Sequence, residues 1–103
     1  MIRFCFSSSL EDPALHTAIS NIVQGGVTFI AQKLDLYCHN IPEDRGCDLE
    51  VDVPHDRLDD FLFAFEEAGL PGSFGSFECL EGDIPAPKLN ILRKRLRFTE
   101  STP

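Results

Sequence analysis

Asp48, Glu50 and Asp52 alternate with Cys47, Leu49, Val51 and Val53 along residues 47–53. A period of two belongs to a strand with one apolar and one polar side, so the three carboxylates share a side. Clustered acids can hold a divalent cation or serve as general acid and base. The spacing argues against both roles. Side chains at i and i+2 of a strand stand roughly 7 Å apart, too far to share one ion without help from neighbouring strands. No EF-hand spacing accompanies them. The expectation is a sheet side that is solvated or matched to a partner.

Cys38, His39, Cys47 and His55 are the other residues with metal-binding chemistry, bracketing a short loop. Cys38, Cys47 and His55 are the candidate zinc ligands. Adjacent residues of a strand point to opposite sides, however, which separates Cys38 from His39. Structural zinc takes ligands spaced as Cys-x₂₋₄-Cys, and the chain contains no such pair. The four cysteines are expected as free, mostly buried thiols, and a buried thiol is inert; Cys5 shares the face of Arg3 on the first strand. "SSSLED" ahead of the first helix could receive phosphate at a helix N-terminus. It lacks the glycines that let backbone wrap an anion, and Glu11 and Asp12 already occupy the positive end. No pattern calls for a cofactor.

These residues need elements to position them. "IRFCF" alternates and predicts a strand at 2–6. Asp12 and Pro13 suit an N-cap and first helical position. Leu15, Ala18, Ile19, Ile22 and Val23 then mark one helix face, which Gly25-Gly26 is expected to end. Residues 27–39 are expected as a long strand with a bulge near 31–33. A hairpin loop follows over 40–46, then the acidic strand, which Pro54 stops. Asp56 is expected to cap a second helix with Leu58, Phe61, Leu62, Phe65 and Ala68 buried, ending at Gly69 and Pro71. Phe63 falls off that stripe and is a candidate contact residue. A glycine-softened fourth strand lies within 72–82, and 83–88 reads as a linker.

The order βαββαβ predicts an α+β, ferredoxin-like sandwich over residues 1–82: four antiparallel strands in the order 4-1-3-2, with two helices on one face. Residues 83–103 form a linker and basic tail. Arg3, Asp35, Tyr37, Asp48, Glu50 and Asp52 would then occupy the open sheet face, with His39 nearby.

The chain has 103 residues, enough for one domain, and a net charge of −8. Residues 1–87 carry four basic against sixteen acidic side chains, and residues 88–103 carry five basic against one acidic. Arg93, Lys94, Arg95 and Arg97 in that tail could meet an acidic groove, nucleic acid or anionic lipid, or dock on the acidic body. So acidic a body disfavours nucleic acid. No apolar run reaches membrane-spanning length and no secretory signal is legible, so a cytoplasmic protein is expected.

The element order, with "DPALHTAISNIVQGGVTFI" and "GCDLEVDVPHDRLDDFLFAFEEAGL", resembles small ferredoxin-like regulatory modules: ACT, NIL and PII-like domains. Pro13-Ala14-Leu15 and Gly46-x-x-Leu49-x-Val51 look like the NIL pattern. Where ACT domains carry a glycine after the proline, this chain has Ala14, and the 40–46 loop is shorter than the nucleotide-binding loop of PII-like proteins. The resemblance implies a non-enzymatic module that oligomerises through sheets or strand edges, with a small ligand at the interface. The expected function is regulation or ligand sensing as a homodimer or larger assembly. The alternatives are an acidic phage- or virus-type inhibitor that imitates nucleic-acid phosphates, and a metal-handling protein.

Overall fold

In a computed structural model, which describes residues 1–7, 12–39, 49–70 and 74–100, the first strand forms as its alternation dictates. Ile2, Phe4 and Phe6 of β1 (Ile2–Ser7) are fully buried, while Arg3 and Cys5 face the other way. α1 (Pro13–Leu34) begins as expected. The Asp12 carboxylate accepts from the backbone N–H groups of Ala14, at 2.9 Å, and Leu15, at 3.3 Å.

The helix does not stop at Gly25-Gly26; it runs on to Leu34. Two mid-helix glycines cost about 1 kcal/mol each relative to alanine. Burying Val23, Val27, Ile30 and Ala31 along one continuous face outweighs that, at roughly 1.5–3 kcal/mol for each large side chain. Gly26 also answers a packing demand, since a Cβ there would meet the Leu70 side chain at 2.4 Å. The buried face is therefore not the one expected: Leu15, Ala18 and Ile22 are exposed. Asp35, expected on the open sheet face, ends the helix in the left-handed region with φ 56°. Its N–H and that of Leu36 bond back to the last turn, and Arg57 Nη2 donates to the Leu34 carbonyl at 2.9 Å.

The long second strand shrinks accordingly to β2 (Tyr37–His39). β3 (Leu49–Val53) follows, then a single 3-10 turn at His55–Arg57 and α2 (Leu58–Ala68). Leu58, Phe61, Leu62 and Phe65 are buried as expected, whereas Ala68 is exposed. No side chain caps α2, so Asp56 does not play that part. Gly69, with φ 55°, ends the helix. Pro71 and the expected hairpin loop at 40–46 lie outside the described residues.

The remaining elements correct the picture of a linker and tail. β4 (Phe74–Cys79) leads into α3 (Ala86–Asn90), one wider π turn at Ile91–Arg95, and β5 (Phe98–Glu100). Ile84, Leu92, Leu96 and Phe98 join the same core as the first half of the chain. Phe98 packs edge-on against Phe4 and Phe6, with ring centroids 5.5 and 5.4 Å away. The sheet is thus five-stranded rather than four-stranded, in the order β2-β3-β1-β4-β5, with the added strand lying beyond β4. β1 pairs antiparallel with β3 and β4, whereas β5 adds parallel to β4. The fold is mixed α+β. Among the described residues no helix is long and apolar enough to cross a membrane.

Candidate functional site

Register places two polar rows on the sheet side away from the core. Tyr37, Asp52, Arg3 and Glu78 follow one another across β2, β3, β1 and β4; His39, Glu50, Cys5 and Ser76 form the next row. Arg3 Nε donates to Asp52 Oδ1 at 2.8 Å and Nη2 to Oδ2 at 3.3 Å. The fork-on-carboxylate geometry is the strong form of this pair. Glu50 Oε1 is 3.3 Å from the same Nε. From the other side, His39 Nε2 meets Asp52 Oδ2 at 2.6 Å. The Tyr37 ring stands edge-on to His39, with centroids 4.4 Å apart.

Two of the three expected surface acids are therefore not displayed. Glu50 is 7% and Asp52 9% exposed. Burial alone would push the Asp52 carboxyl up; its hydrogen bonds to Arg3 and His39, with their charges, outweigh that and hold it below the usual carboxylate range. Asp52 is a strand-to-strand clamp, tying β2 and β1 to β3. Asp48 and Cys47 lie outside the described residues.

The zinc candidates do not converge. Cys38 is on edge strand β2, while His55 Nε2 pairs with the Glu81 carbonyl just beyond β4. β3 and β1 separate those two strands. Among the described residues no three His, Cys, Asp or Glu side chains group as metal ligands. Cys38 and Cys79 are free thiols, as expected, and burial pushes both up, away from the reactive thiolate. Cys5 is disulfide-bonded, which corrects its expected free state. It shares Arg3's side of β1, so it is not packed into the apolar core.

The basic residues are largely spent within the chain. Lys88 reaches Asp59 at 2.9 Å, Arg95 reaches Glu66 at 3.4 Å, and Arg93 reaches Glu100 at 2.5 Å. The +4 segment docks on its own body, the plainest of the alternatives. Lys94 and Arg97 are exposed, and Arg97 takes a left-handed φ of 57° at the entry to β5.

Across the molecule, the helical layer carries a different surface. Phe63 is 65% exposed and Phe29, from α1, is 67% exposed. Both line a groove of about 470 Å³ between the helices, together with Ile30, Leu34 and Ala64. Lys33, Asp60 and Glu67 also line it.

No family model matches the chain, and no curated protein or solved structure matches it either.

The functional reading therefore rests on the chain's own geometry. The sheet-side cluster has its polar groups satisfied by one another, and no activated nucleophile stands beside the His39–Asp52 pair among the described residues. The groove is apolar, accessible and bordered by charge of both signs. Phe63 was legible from its place off the α2 stripe. Phe29 was not, because a strand over 27–39 hides that it shares an outer helix face with Leu15 and Ile22; their spacing of seven was the available signal.

Proposed function

We propose that the chain is a regulatory or ligand-sensing module that associates with another protein molecule through the outer surface of its helical layer. The observation that carries this reading is the pair Phe29 and Phe63, each about two-thirds exposed on the rim of one apolar groove. Large apolar side chains gathered on a surface, rather than scattered singly, mark interaction sites. The groove's volume, about 470 Å³, falls in the range of small-ligand pockets, roughly 300–1,000 Å³. A mostly apolar ligand with one charged group suits its lining. The element order β1-α1-β2-β3-α2-β4 supports the finer, ferredoxin-like reading, with α3 and β5 as additions to it.

The reading as an acidic inhibitor that imitates nucleic acid finds no carrier among the described residues. Glu50 and Asp52, which it would display, are turned to Arg3 and His39. Light scattering on the eluting protein tests the proposal. Association at micromolar concentration, weakened by Phe63→Ser and by Phe29→Ser, is the expected result. A strict monomer at high micromolar concentration would sink it.

A further inference from the structure

Leu15, Ile22 and Phe29 are all exposed and seven residues apart on α1. Seven residues fall only about 20° short of two full helical turns, so the three form one slightly slanted stripe. Ala18 and Gly25, both exposed, lie on the same stripe, each three residues beyond a large one. Between Pro13 and Gln32 the chain contains no Asp, Glu, Lys or Arg, although a quarter of all its residues are charged. An outer helix face of a globular protein is ordinarily its charged one. Here it is the reverse.

Gly25 adds an independent sign. A Cβ on its neighbour Gly26 would displace the end of the Leu70 side chain, but a Cβ on Gly25 would meet nothing within 4 Å. Inside the chain, alanine at this position would be better by about 1 kcal/mol. Nothing among the described residues calls for glycine here, and the position faces open space.

We infer that a second copy of this chain covers the outer face of α1, helix against helix and antiparallel, crossing at Ile22. This rests on the association reading above and names its partner and its contact. Three features point to a copy of the chain. The stripe is self-complementary: Leu15 and Phe29 are equally far from Ile22, so a two-fold axis there brings each Leu15 to the Phe29 of the partner subunit. Two bodies of net charge −8 repel, and residues 13–32 are where they can approach without placing like charges in contact. The area also suffices. A helix of 22 residues is about 33 Å long, and its outward half offers on the order of 700 Å²; with Phe63 that nears the roughly 800 Å² per partner of a stable interface. The spacing of seven sets the two helices about 20° from antiparallel, with Ala18 and Gly25 letting the backbones close toward about 8 Å.

The test uses Ile22→Lys and Ile22→Glu, prepared separately and mixed, with mass measured by light scattering and sedimentation. Ile22 is outside the core, so both variants should keep the wild-type circular dichroism and melting. Each alone should associate roughly a hundredfold or more weakly than wild type, because like charges then meet at the crossing point. The mixture should recover the dimer, because Lys then faces Glu. Gly25→Ala should raise the melting point and weaken association severalfold. Wild-type dimers that persist in both Ile22 variants, or a mixture that stays monomeric, overturn the inference. If Phe63→Ser abolishes the dimer and the Ile22 variants do not, the contact lies on the groove side of the helical layer and the inference falls while the association reading stands; if Tyr37→Lys on the sheet side abolishes it instead, both fall. A wild-type monomer overturns both.

Discussion

The sheet side and the helix side of this protein distribute polarity in opposite ways. On the sheet side, Arg3, Asp52, His39 and Glu50 are charged or polar and close together, and each is answered by another. On the helix side, Leu15, Ile22, Phe29 and Phe63 are apolar and exposed, and nothing among the described residues covers them. Charge on a strand pattern announced interaction, yet the interaction is internal. The stretch without charge along α1 announced a core, yet Leu15, Ile22 and Phe29 face outward. What distinguishes a binding surface is therefore not the density of chemistry on it but whether that chemistry is already satisfied.

Substitutions that treat the two sides alike should separate them sharply. Arg3→Met leaves Asp52 and Glu50 buried without their cation. Breaking a mostly buried pair costs about 2–3 kcal/mol where the cation is partly hydrated, and urea denaturation should show that loss with association unchanged. A cost near zero would mean that the sheet cluster is ornamental. Acid should produce a smaller loss of the same origin. Asp52 titrates below its usual 3.8 when folded, so the unfolded chain takes up its proton first. The stability this group contributes is complete above about pH 4 and is lost as pH falls through the lower, folded value. The acid limb of a stability-against-pH curve should flatten in Arg3→Met, and an unchanged limb would remove Asp52 from the account. His39→Gln deletes one hydrogen bond to the same carboxylate and should cost about 1 kcal/mol. Smallest of all, Phe63→Ser should change the stability of the isolated chain by no more than about 0.5 kcal/mol, while it weakens association. A large loss of stability in that variant would mean that Phe63 belongs to the core after all and would erase the contrast between the two sides.

Much of the positioning framework was legible because it depends on local rules. The alternation of Ile2, Phe4 and Phe6, the Asp12-Pro13 start of α1 and the buried stripe of α2 each follow from periodicity or capping within a few residues. The parity that sends Arg3 and Asp52 to one side of the sheet was legible for the same reason. Gly25-Gly26 misled because its meaning is tertiary: a stop signal by propensity, but in the fold one glycine makes room for Leu70 and the other faces outward. Once the helix continues, residues 27–34 cease to be a strand, and Phe29 moves to the surface of the helical layer. The C-terminal segment misled through its charge. Its basic residues suggested a tail added to a finished domain, whereas Leu92, Leu96 and Phe98 were core residues whose partners are distant in the sequence. The candidate site was thus half visible, Phe63 from α2 but not Phe29 from α1.

The place of β5 at the β4 edge bears on how the chain is made. β1 leaves the ribosome before both of its neighbours, β3 and β4, so Ile2 must wait for Val53 and for Cys79. Phe98 closes the aromatic cluster around Phe4, Phe6 and Phe65 later still. Phe61, Phe65 and Phe77 can cover part of Phe4 and Phe6 earlier, but until residue 98 has emerged their cluster lacks its last ring. The α1 segment, which needs only local hydrogen bonds and its Asp12 cap to begin, is the part that can form during that interval.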